Sequence, residues 1–185
     1  MKKILFSFLA LFMALSMNAA ERGKFIHVDA SVNKNLKPQI AFCQAQKDGQ
    51  AVTTLLVQTV NVNNFNTFTD ASRVLIRFAD GKAIRLNRVP GSEIVTRKYN
   101  KKNGNATINY YETVTEYETT PEVIEKLEAG IAIIKVRIVF QENDAKDYDI
   151  LESYQPKMAA DLLKSYQEAT QKNRQSNGDL SDEDF

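Results

Sequence analysis

Hydrophobic and polar residues alternate along much of the chain between residues 40 and 140, and this two-residue period predicts β-strands with one buried face. Turn-forming residues separate the alternating stretches, so consecutive strands are expected to pair as antiparallel hairpins. Two polar stretches, residues 61–70 and 100–105, are predicted to be loops. The predicted strands cover residues 40–46, 51–60, 74–78, 84–86, 93–99, 106–118 and 132–140.

The turn at Asp80-Gly81 allows the register of one hairpin to be predicted. A two-residue loop would place Ile76 opposite an arginine and would mix apolar with charged side chains on both faces. A three-residue loop, residues 79–81, places Ile76 opposite Ile84 and keeps one face apolar, with Gly81 in the left-handed conformation of a bulged turn. The three-residue loop is therefore predicted. It collects three cations on the other face of the hairpin: Arg73, Arg77 and Arg85.

Two segments have the apolar spacing and the boundary residues of α-helices. The first, residues 121–129, begins with Pro121 behind a threonine that can cap it, and it ends before Gly130. The second, residues 156–173, presents an apolar stripe along one side. Residues 38–47 fit either a strand or a helix, because Pro38 at their start and Gly49 after their end would also bracket a short helix.

Antiparallel strands followed by helix, strand and helix predict the α+β class. The expected architecture is a hairpin-rich antiparallel β-sheet of about six to eight strands, with helices 121–129 and 156–173 packed on one face. Residues 24–173 would form this single globular domain. Residues 174–185 are polar and strongly acidic, which predicts a disordered tail.

The first twenty residues have the composition of a cleavable export signal. Lys2 and Lys3 precede an apolar run, residues 4–17, and small residues follow before Glu21. The run is about fourteen residues long, whereas a membrane-spanning helix needs roughly twenty, so cleavage is expected and a transmembrane anchor is not. No cysteine stands where a lipid anchor would be attached. The protein is therefore expected in the periplasm or outside the cell.

Charge and cysteine content narrow the classes of function. The chain has 24 basic and 23 acidic residues, so loss of Lys2 and Lys3 would leave one more acid than base. This balance argues against a general nucleic-acid or anionic-membrane binder. Cys43 and His27 are the only residues of their types, which excludes an internal disulfide and argues against a zinc centre. With no glycine-rich phosphate-binding motif either, no cofactor is predicted.

Few residues support a catalytic interpretation. His27 with Cys43, or His27 with a serine, would need a contact that nothing in the spacing indicates. Paired carboxylates keep a hydrolase or lyase as an alternative. The acidic stretch 142–152 lacks the glycine and the spacing of a calcium-binding loop and is interpreted as a solvated loop. The carboxylate pairs concerned are Glu112 with Glu116 and Asp147 with Asp149.

Charge is unevenly distributed along the predicted strands. Residues 73–102 contain nine basic and two acidic residues, whereas residues 103–128 contain six acidic residues and one basic. Adjacent strands of one sheet are expected to neutralise each other across the ladder. The alternative is a polarised sheet face that recognises an anionic glycan or a protein partner. The candidate binding residues are Arg73, Arg77, Arg85, Arg97, Tyr99 and Tyr111.

Three stretches together resemble small exported proteins of Bacteroidetes-type bacteria. They are the signal MKKILFSFLALFMALSMNAAE, the hairpin VLIRFADGKAIRL, and TTPEVIEKLEAGIAIIKVRI. The resemblance covers residues 1–20 and 73–140. It implies a periplasmic or surface-exposed setting and carries no active-site residues.

The function predicted from the sequence is that of an exported, non-enzymatic binding or interaction domain. It follows from an ordinary core, the lack of a catalytic constellation and the polarised charge of the strands. Two alternatives remain: a hydrolase or lyase that uses paired carboxylates, and an inhibitor or assembly partner of another exported protein.

Overall fold

The computed structural model describes residues 21–28, 36, 38–47, 50–103, 106–142 and 144–176. The predicted export signal, residues 1–20, and residues 177–185 of the predicted tail lie outside this part of the chain. The described strands are β1 (Glu21–Arg22), β2 (Ile26–His27), β3 (Gln39–Lys47), β4 (Gln50–Asn61), β5 (Arg73–Phe78), β6 (Ala83–Asn87), β7 (Val95–Asn103), β8 (Ala106–Glu118), β9 (Ile133–Gln141) and β10 (Asp144–Asp149). The helices are α1 (Pro121–Glu128) and α2 (Gln155–Ser176), with a 3-10 turn at Glu152–Tyr154.

The α+β class is confirmed, and the strands divide between two antiparallel sheets instead of forming one. Sheet A has the order β1-β3-β4-β8-β7, with β2 also paired to β3, and sheet B has the order β10-β9-β5-β6. The described residues form ten strands, more than the six to eight that the sequence predicts. The strands that the sequence did not indicate are β1 and β2, which are only two residues long, and β10, whose side chains are nearly all exposed. None of these three carries the alternation by which a strand is recognised in a sequence.

One buried hydrophobic cluster joins the two sheets and both helices. Sheet B contributes the buried side chains of β5, β6 and β9, and sheet A contributes those of β3, β4 and β8. Helix α2 packs mainly on β3 and also contacts β1, β9 and α1. The largest fully buried side chains of this core are Tyr117, Phe42, Phe78 and Phe140.

The hairpin between β5 and β6 has the predicted register. Ile76 lies opposite Ile84, and the loop comprises the three residues 79–81. Gly81 has a φ of 86°, the left-handed conformation that glycine adopts without steric cost. The predicted separation of faces is therefore confirmed: the apolar residues opposite each other, Val74 with Leu86 and Ile76 with Ile84, face the core, and the arginines face outward together with Leu75.

Three local predictions are corrected or resolved by the structure. Residues 39–47 form a strand, because Ile40 and Phe42 both point into the core at the two-residue period of a strand. The predicted loop 100–105 is mostly strand, since β7 continues to Asn103 and pairs with β8 up to that point. The predicted loop at 142–152 contains β10, which is held to β9 by backbone pairing and not by burial of its side chains.

The two helices lie close to their predicted positions. In α1, Thr120 occupies the N-cap position without a side-chain cap bond, and Gly130 leaves the helix with a φ of 69°. Helix α2 starts one residue before its predicted start and continues to Ser176, so it includes residues 174–176 of the predicted tail. Neither helix of the described part of the chain is long and apolar enough to cross a membrane.

A close contact between Gly23 and Ser165 fixes α2 against sheet A. The Gly23 N–H donates to the Phe42 carbonyl at 2.9 Å, and the Phe42 N–H donates to the Ser165 hydroxyl at 3.1 Å. A Cβ atom at residue 23 would lie 1.9 Å from the Ser165 carbonyl oxygen, far inside van der Waals contact. Only glycine fits here, because the obstructing atom belongs to helix backbone that cannot rotate away.

Gly23→Ala is expected to lower the free energy of unfolding by roughly 2–3 kcal/mol, since the helix must move away from β3. Gly81→Ala is the matched control: nothing lies within 4 Å of its Cβ position, and only the φ of 86° opposes the substitution. That strain costs about 1–2 kcal/mol. Denaturant unfolding of both variants measures the difference, and a Gly23→Ala variant as stable as Gly81→Ala would contradict the close contact.

Burial also determines the acid–base behaviour of two tyrosines in this core. Burial raises the pKa of Tyr117 to about 12, against a weaker lowering by the hydrogen bond with Thr115, and it raises the pKa of Tyr148 to about 12 as well. In the unfolded chain a tyrosine ionises near 10. The folded state therefore loses stability as the pH rises through 10 towards 12, because the unfolded state releases its proton first.

In Tyr117→Phe and in Tyr148→Phe, the unfolding free energy should fall less between about pH 10 and pH 12 than it does in the unsubstituted chain. The difference should reach up to roughly 2 kcal/mol near pH 12. Urea titrations at stepped pH values measure this slope, with the unsubstituted chain as reference. An unchanged slope in both variants would show that neither hydroxyl is buried as described.

Candidate functional site

The outer face of sheet B is a regular grid of side chains, because the four strands pair in register and every second residue points away from the core. Each row of the grid runs across β6, β5, β9 and β10 in that order. The rows are Asn87, Arg73, Val139 and Ala145; Arg85, Leu75, Arg137 and Asp147; and Ala83, Arg77, Lys135 and Asp149.

Charge changes sign across this grid. On the β9 and β10 side the cations are neutralised within the sheet: Arg137 makes a two-pronged contact with Asp147, and the Lys135 ammonium lies 2.9 Å from an Asp149 oxygen. On the β5 and β6 side, Arg73, Arg77 and Arg85 form no ion pair with any described residue. We call these three residues the arginine face.

The arginine face borders a shallow depression of about 330 Å³. Its apolar lining is formed by Leu75, Val139 and Ala145. Its charged lining is formed by the cations Arg73, Arg85 and Arg137 and by one acid, Asp144. Arg77 and Arg85 are exposed, whereas Arg73 is partly covered. Planar guanidinium groups held around an apolar floor suit ligands that combine carboxylate, sulfate or phosphate oxygens with an apolar backbone.

Asp147 on the acidic border of the grid has a lowered pKa. The hydrogen bonds from the Arg137 guanidinium hold the pKa of the Asp147 carboxyl below its usual value, and the charge of Lys135 acts in the same direction. Asp147 is therefore ionised wherever the protein is folded near neutrality, and it cancels Arg137 as a binding cation. This explains why the cationic region is confined to β5 and β6.

The six candidate binding residues do not lie on a single surface. Arg97 and Tyr99 belong to β7 in sheet A, where Arg97 lies opposite Glu112 and the Tyr99 ring stacks on Tyr110 with centroids 5.4 Å apart. Tyr111 belongs to β8 opposite Lys98, at the other parity of the same ladder, and therefore lies on the other face of sheet A from Tyr99.

Tyr99 and Tyr111 have local partners that account for them. The Arg97 guanidinium carbon lies 5.7 Å from the centre of the Tyr99 ring, and the Lys98 ammonium lies 5.2 Å from that of Tyr111. Tyr111 also meets the edge of Phe65 at 5.1 Å. Burial raises the pKa of Tyr99, with smaller effects of nearby Glu112 and Tyr110 in the same direction. These tyrosines serve the packing of the β7–β8 hairpin.

The expected neutralisation of basic by acidic strands is seen in the register of β7 with β8 and not as ion pairs. Arg97 lies opposite Glu112, but no ion pair joins these two side chains. Arg73, Arg77 and Arg85 belong to sheet B, whereas the acidic strand β8 belongs to sheet A and meets sheet B at the bridge between Arg88 and Tyr117. The three arginines form no ion pair with a described residue, although Asp144 lines the same depression as Arg73 and Arg85.

Catalysis by His27 with Cys43 is not supported by the geometry. His27 is exposed and pairs with Gln39 of β3, whereas Cys43 is buried four residues further along that strand. Four residues of strand span about 13 Å, far beyond hydrogen-bond reach.

A small cavity of about 190 Å³ lies beside His27 and includes Ser165. The Ser165 hydroxyl is buried and accepts the hydrogen bond that joins α2 to β3.

The carboxylate pairs also fail to form an acid–base site. Glu112 and Glu116 are four residues apart on β8, about 13 Å, whereas carboxylate enzymes use separations of about 5–9.5 Å. Asp147 and Asp149 are closer but lie on an open sheet face with cationic partners. The lowered pKa of Asp147 is opposite to what a general acid needs.

Among the described residues, no group of three or more histidine, cysteine, aspartate or glutamate side chains is arranged to hold a metal ion. In particular, Asp147 and Asp149 lie at alternate positions of an extended strand and contact basic side chains of β9. A calcium site would need them to converge on one point.

Sequence reasoning missed the neighbours that shape the arginine face. Leu75, Val139 and Ala145 come from three separate strands, and Arg137 differs from the arginine face in its contact with Asp147. The sequence does give one signal for Leu75: it is an apolar residue on the face of β5 that otherwise carries Arg73 and Arg77. The pairing of β5 with β9 carried no such signal, because those strands are far apart in the sequence.

No family model matches this chain, and neither a curated protein nor a solved structure shows significant similarity to it. Function must therefore be argued from the site itself.

Asp147→Asn is expected to release Arg137 and to extend the cationic region from β5 onto β9. The variant should elute later from a sulfonate cation exchanger at neutral pH and low salt, with less than about 1 kcal/mol lost from its unfolding free energy because the pair is exposed. Glu118→Gln changes the net charge equally at an exposed position of sheet A. Equal retention of the two variants would contradict the role of Asp147.

Proposed function

We propose that the protein is an exported, non-enzymatic binding domain that recognises an anionic partner through the arginine face. The observation that carries this proposal is that Arg73, Arg77 and Arg85 share one exposed face and form no ion pair with a described residue. Four of the five cations paired elsewhere in the described chain, including Lys126 and Arg137, each contact a single carboxylate. The positive charge of the three arginines therefore remains available to an anionic ligand.

Placement on a rigid sheet supports recognition by this surface. The arginine side chains stand on β5 and β6, whose inner residues are fully or almost fully buried in the core. Their backbone positions are thus fixed before a partner arrives, which lowers the ordering cost of binding. Guanidinium groups bind carboxylate, sulfate and phosphate in a two-pronged geometry that a lysine cannot match.

The setting in this proposal comes from residues 1–20, whose charge and apolar pattern are those of an export signal. In the periplasm or outside the cell, anionic partners of two kinds are expected: acidic segments of other exported proteins and anionic glycans. The enzyme alternative has less support, because Asp147 and Asp149, the closer of the two candidate carboxylate pairs, lie on an open face and contact basic neighbours.

The test removes the arginine face and measures binding to two polyanions, poly-L-glutamate and dextran sulfate. Arg73→Ala, Arg77→Ala and Arg85→Ala combined should weaken binding roughly 10- to 100-fold, at about 0.5–1 kcal/mol for each exposed contact. Binding by the unsubstituted protein should fall steeply between low and physiological salt, since the contacts are screened.

A triple variant of sheet A provides the control for net charge. Arg97→Ala, Lys98→Ala and Lys101→Ala remove the same charge from exposed positions of β7. This control should keep binding within about threefold of the unsubstituted protein. Equal losses in the two triple variants would mean that overall charge, and not the arginine face, determines binding, and the proposal would be wrong.

A further inference from the structure

We propose that the arginine face binds the acidic segment at residues 179–185 of a second copy of this chain, and that an apolar side chain of that segment enters the depression beside the arginines. This inference rests on the proposed function and names its partner. It is supported by three observations: the unequal charge around the depression, the composition of residues 179–185, and the direction in which α2 leaves sheet B.

The charge around the depression is asymmetric, and this asymmetry selects among anions. Arg73 and Arg85 line the side formed by β5 and β6, whereas Asp144 lines the side formed by β10. Arg137 also lines the depression, but it is already held by Asp147. A ligand that is negative over its whole length would bring charge against Asp144, where like charges repel. The preferred ligand therefore carries its negative charge on one side and is apolar on the other.

The apolar lining lies beside the cations, as such a ligand requires. Val139 and Ala145 follow Arg73 in one row of the grid, and Leu75 follows Arg85 in the next row. The depression has a volume of about 330 Å³. Ligand pockets begin at about 300 Å³, so this one suits a single apolar side chain and not a longer apolar segment.

Residues 179–185, which lie outside the described part of the chain, have the composition that this site requires. Their sequence is DLSDEDF, which contains four acidic residues and no basic one. Leu180 directly follows Asp179, and Phe185 directly follows Asp184. An apolar side chain in the depression would thus place a carboxylate one residue away, where a guanidinium group can bind it in a two-pronged geometry. The segment and the arginine face are complementary in charge.

The course of α2 favours a second copy over the arginine face of the same chain. The helix begins close to β9, where the Ile150 N–H donates to the Ile134 carbonyl, and half-way along it Ser165 contacts Phe42 of β3. It also packs on β1, an edge strand of sheet A. Strand β6 instead adjoins β8, and β3 and β4 lie between β8 and β1. Helix α2 therefore leads away from the arginine face.

The length of chain beyond α2 supports the same conclusion. Asp179 and Asp184 are three and eight residues beyond Ser176, so a fully extended chain would carry their carboxylates about 10 and 29 Å from the end of the helix at most. Helix α2 has 22 residues and is about 33 Å long. To reach its own arginine face, the segment would have to return along the helix and pass around the core. A second copy has no such restriction.

The first test measures binding of a labelled peptide of residues 177–185 by fluorescence anisotropy at low salt. The peptide is amidated, so that only side-chain carboxylates carry its negative charge. Leu180→Ser combined with Phe185→Ser keeps every charge of the peptide and should weaken binding at least about fivefold, because apolar burial in the depression is lost. Replacement of the four acidic residues by their amides should abolish measurable binding.

A pair of leucine variants tests the depression from the side of the protein. Leu75→Thr removes apolar lining without changing charge, and threonine suits a strand. It should weaken binding of the unsubstituted peptide at least about threefold. Leu151→Thr is the matched control, because this leucine is exposed and does not line the depression. It should leave binding unchanged. Equal affinities of both variants, together with equal binding of the serine-substituted peptide, would contradict a role for the depression.

The second test asks whether the segment acts between copies. Protein purified after export should associate at low salt in sedimentation velocity, increasingly with concentration, and dissociate at physiological salt. A chain that ends at Ser176 and the triple variant of Arg73, Arg77 and Arg85 should each remain monomeric. An equimolar mixture of the two should form a one-to-one complex, since one supplies the arginine face and the other supplies the segment.

The outcomes separate this inference from the proposed function. If the peptide does not bind, or if the mixture does not associate, the second copy is not the partner, and binding of the two polyanions through the arginine face would leave the proposed function in place. If the full chain stays monomeric and the peptide binds only the chain that ends at Ser176, the segment occupies its own arginine face and the contact between copies is wrong. If the triple arginine variant binds the peptide and both polyanions as well as the unsubstituted protein does, the proposed function fails too.

Discussion

Burial of the inner side chains of β5 is the constraint on which the surface of this protein depends. Val74, Ile76 and Phe78 are fully buried in the core that the two sheets share. Because side chains of a strand alternate between its faces, their burial forces Arg73 and Arg77 outward, and the register with β6 adds Arg85 beside them. The free energy that holds the core together therefore also fixes the positions of the guanidinium groups.

The division into two sheets gives that outward face its unusual charge. The acidic strand β8 pairs within sheet A, so its carboxylates stay with β4 and β7. In sheet B the only acidic strand is β10, which lies two strands away from β5 and neutralises β9. Cations and anions thus occupy opposite sides of one sheet face.

Sequence patterns predicted the local structure well where one face of an element is buried. The β5–β6 register, the left-handed Gly81 and the position of α1 all followed from alternation, turn chemistry and boundary residues. Prediction failed for β10 and for the end of β7, where exposed strands are held by backbone pairing and show no apolar alternation. It also grouped Tyr111 with Tyr99, although their alternation places them on opposite faces of sheet A.

The sequence by itself determined that Arg73, Arg77 and Arg85 share one face, because that follows from a short hairpin whose register a single glycine turn sets. Only the tertiary structure decided that these arginines form no ion pair with a described residue. This property depends on which distant strands pair, namely β5 with β9 and β4 with β8. Strand pairing over such separations is decided by how the whole core packs, and alternation within a strand carries no information about its partner.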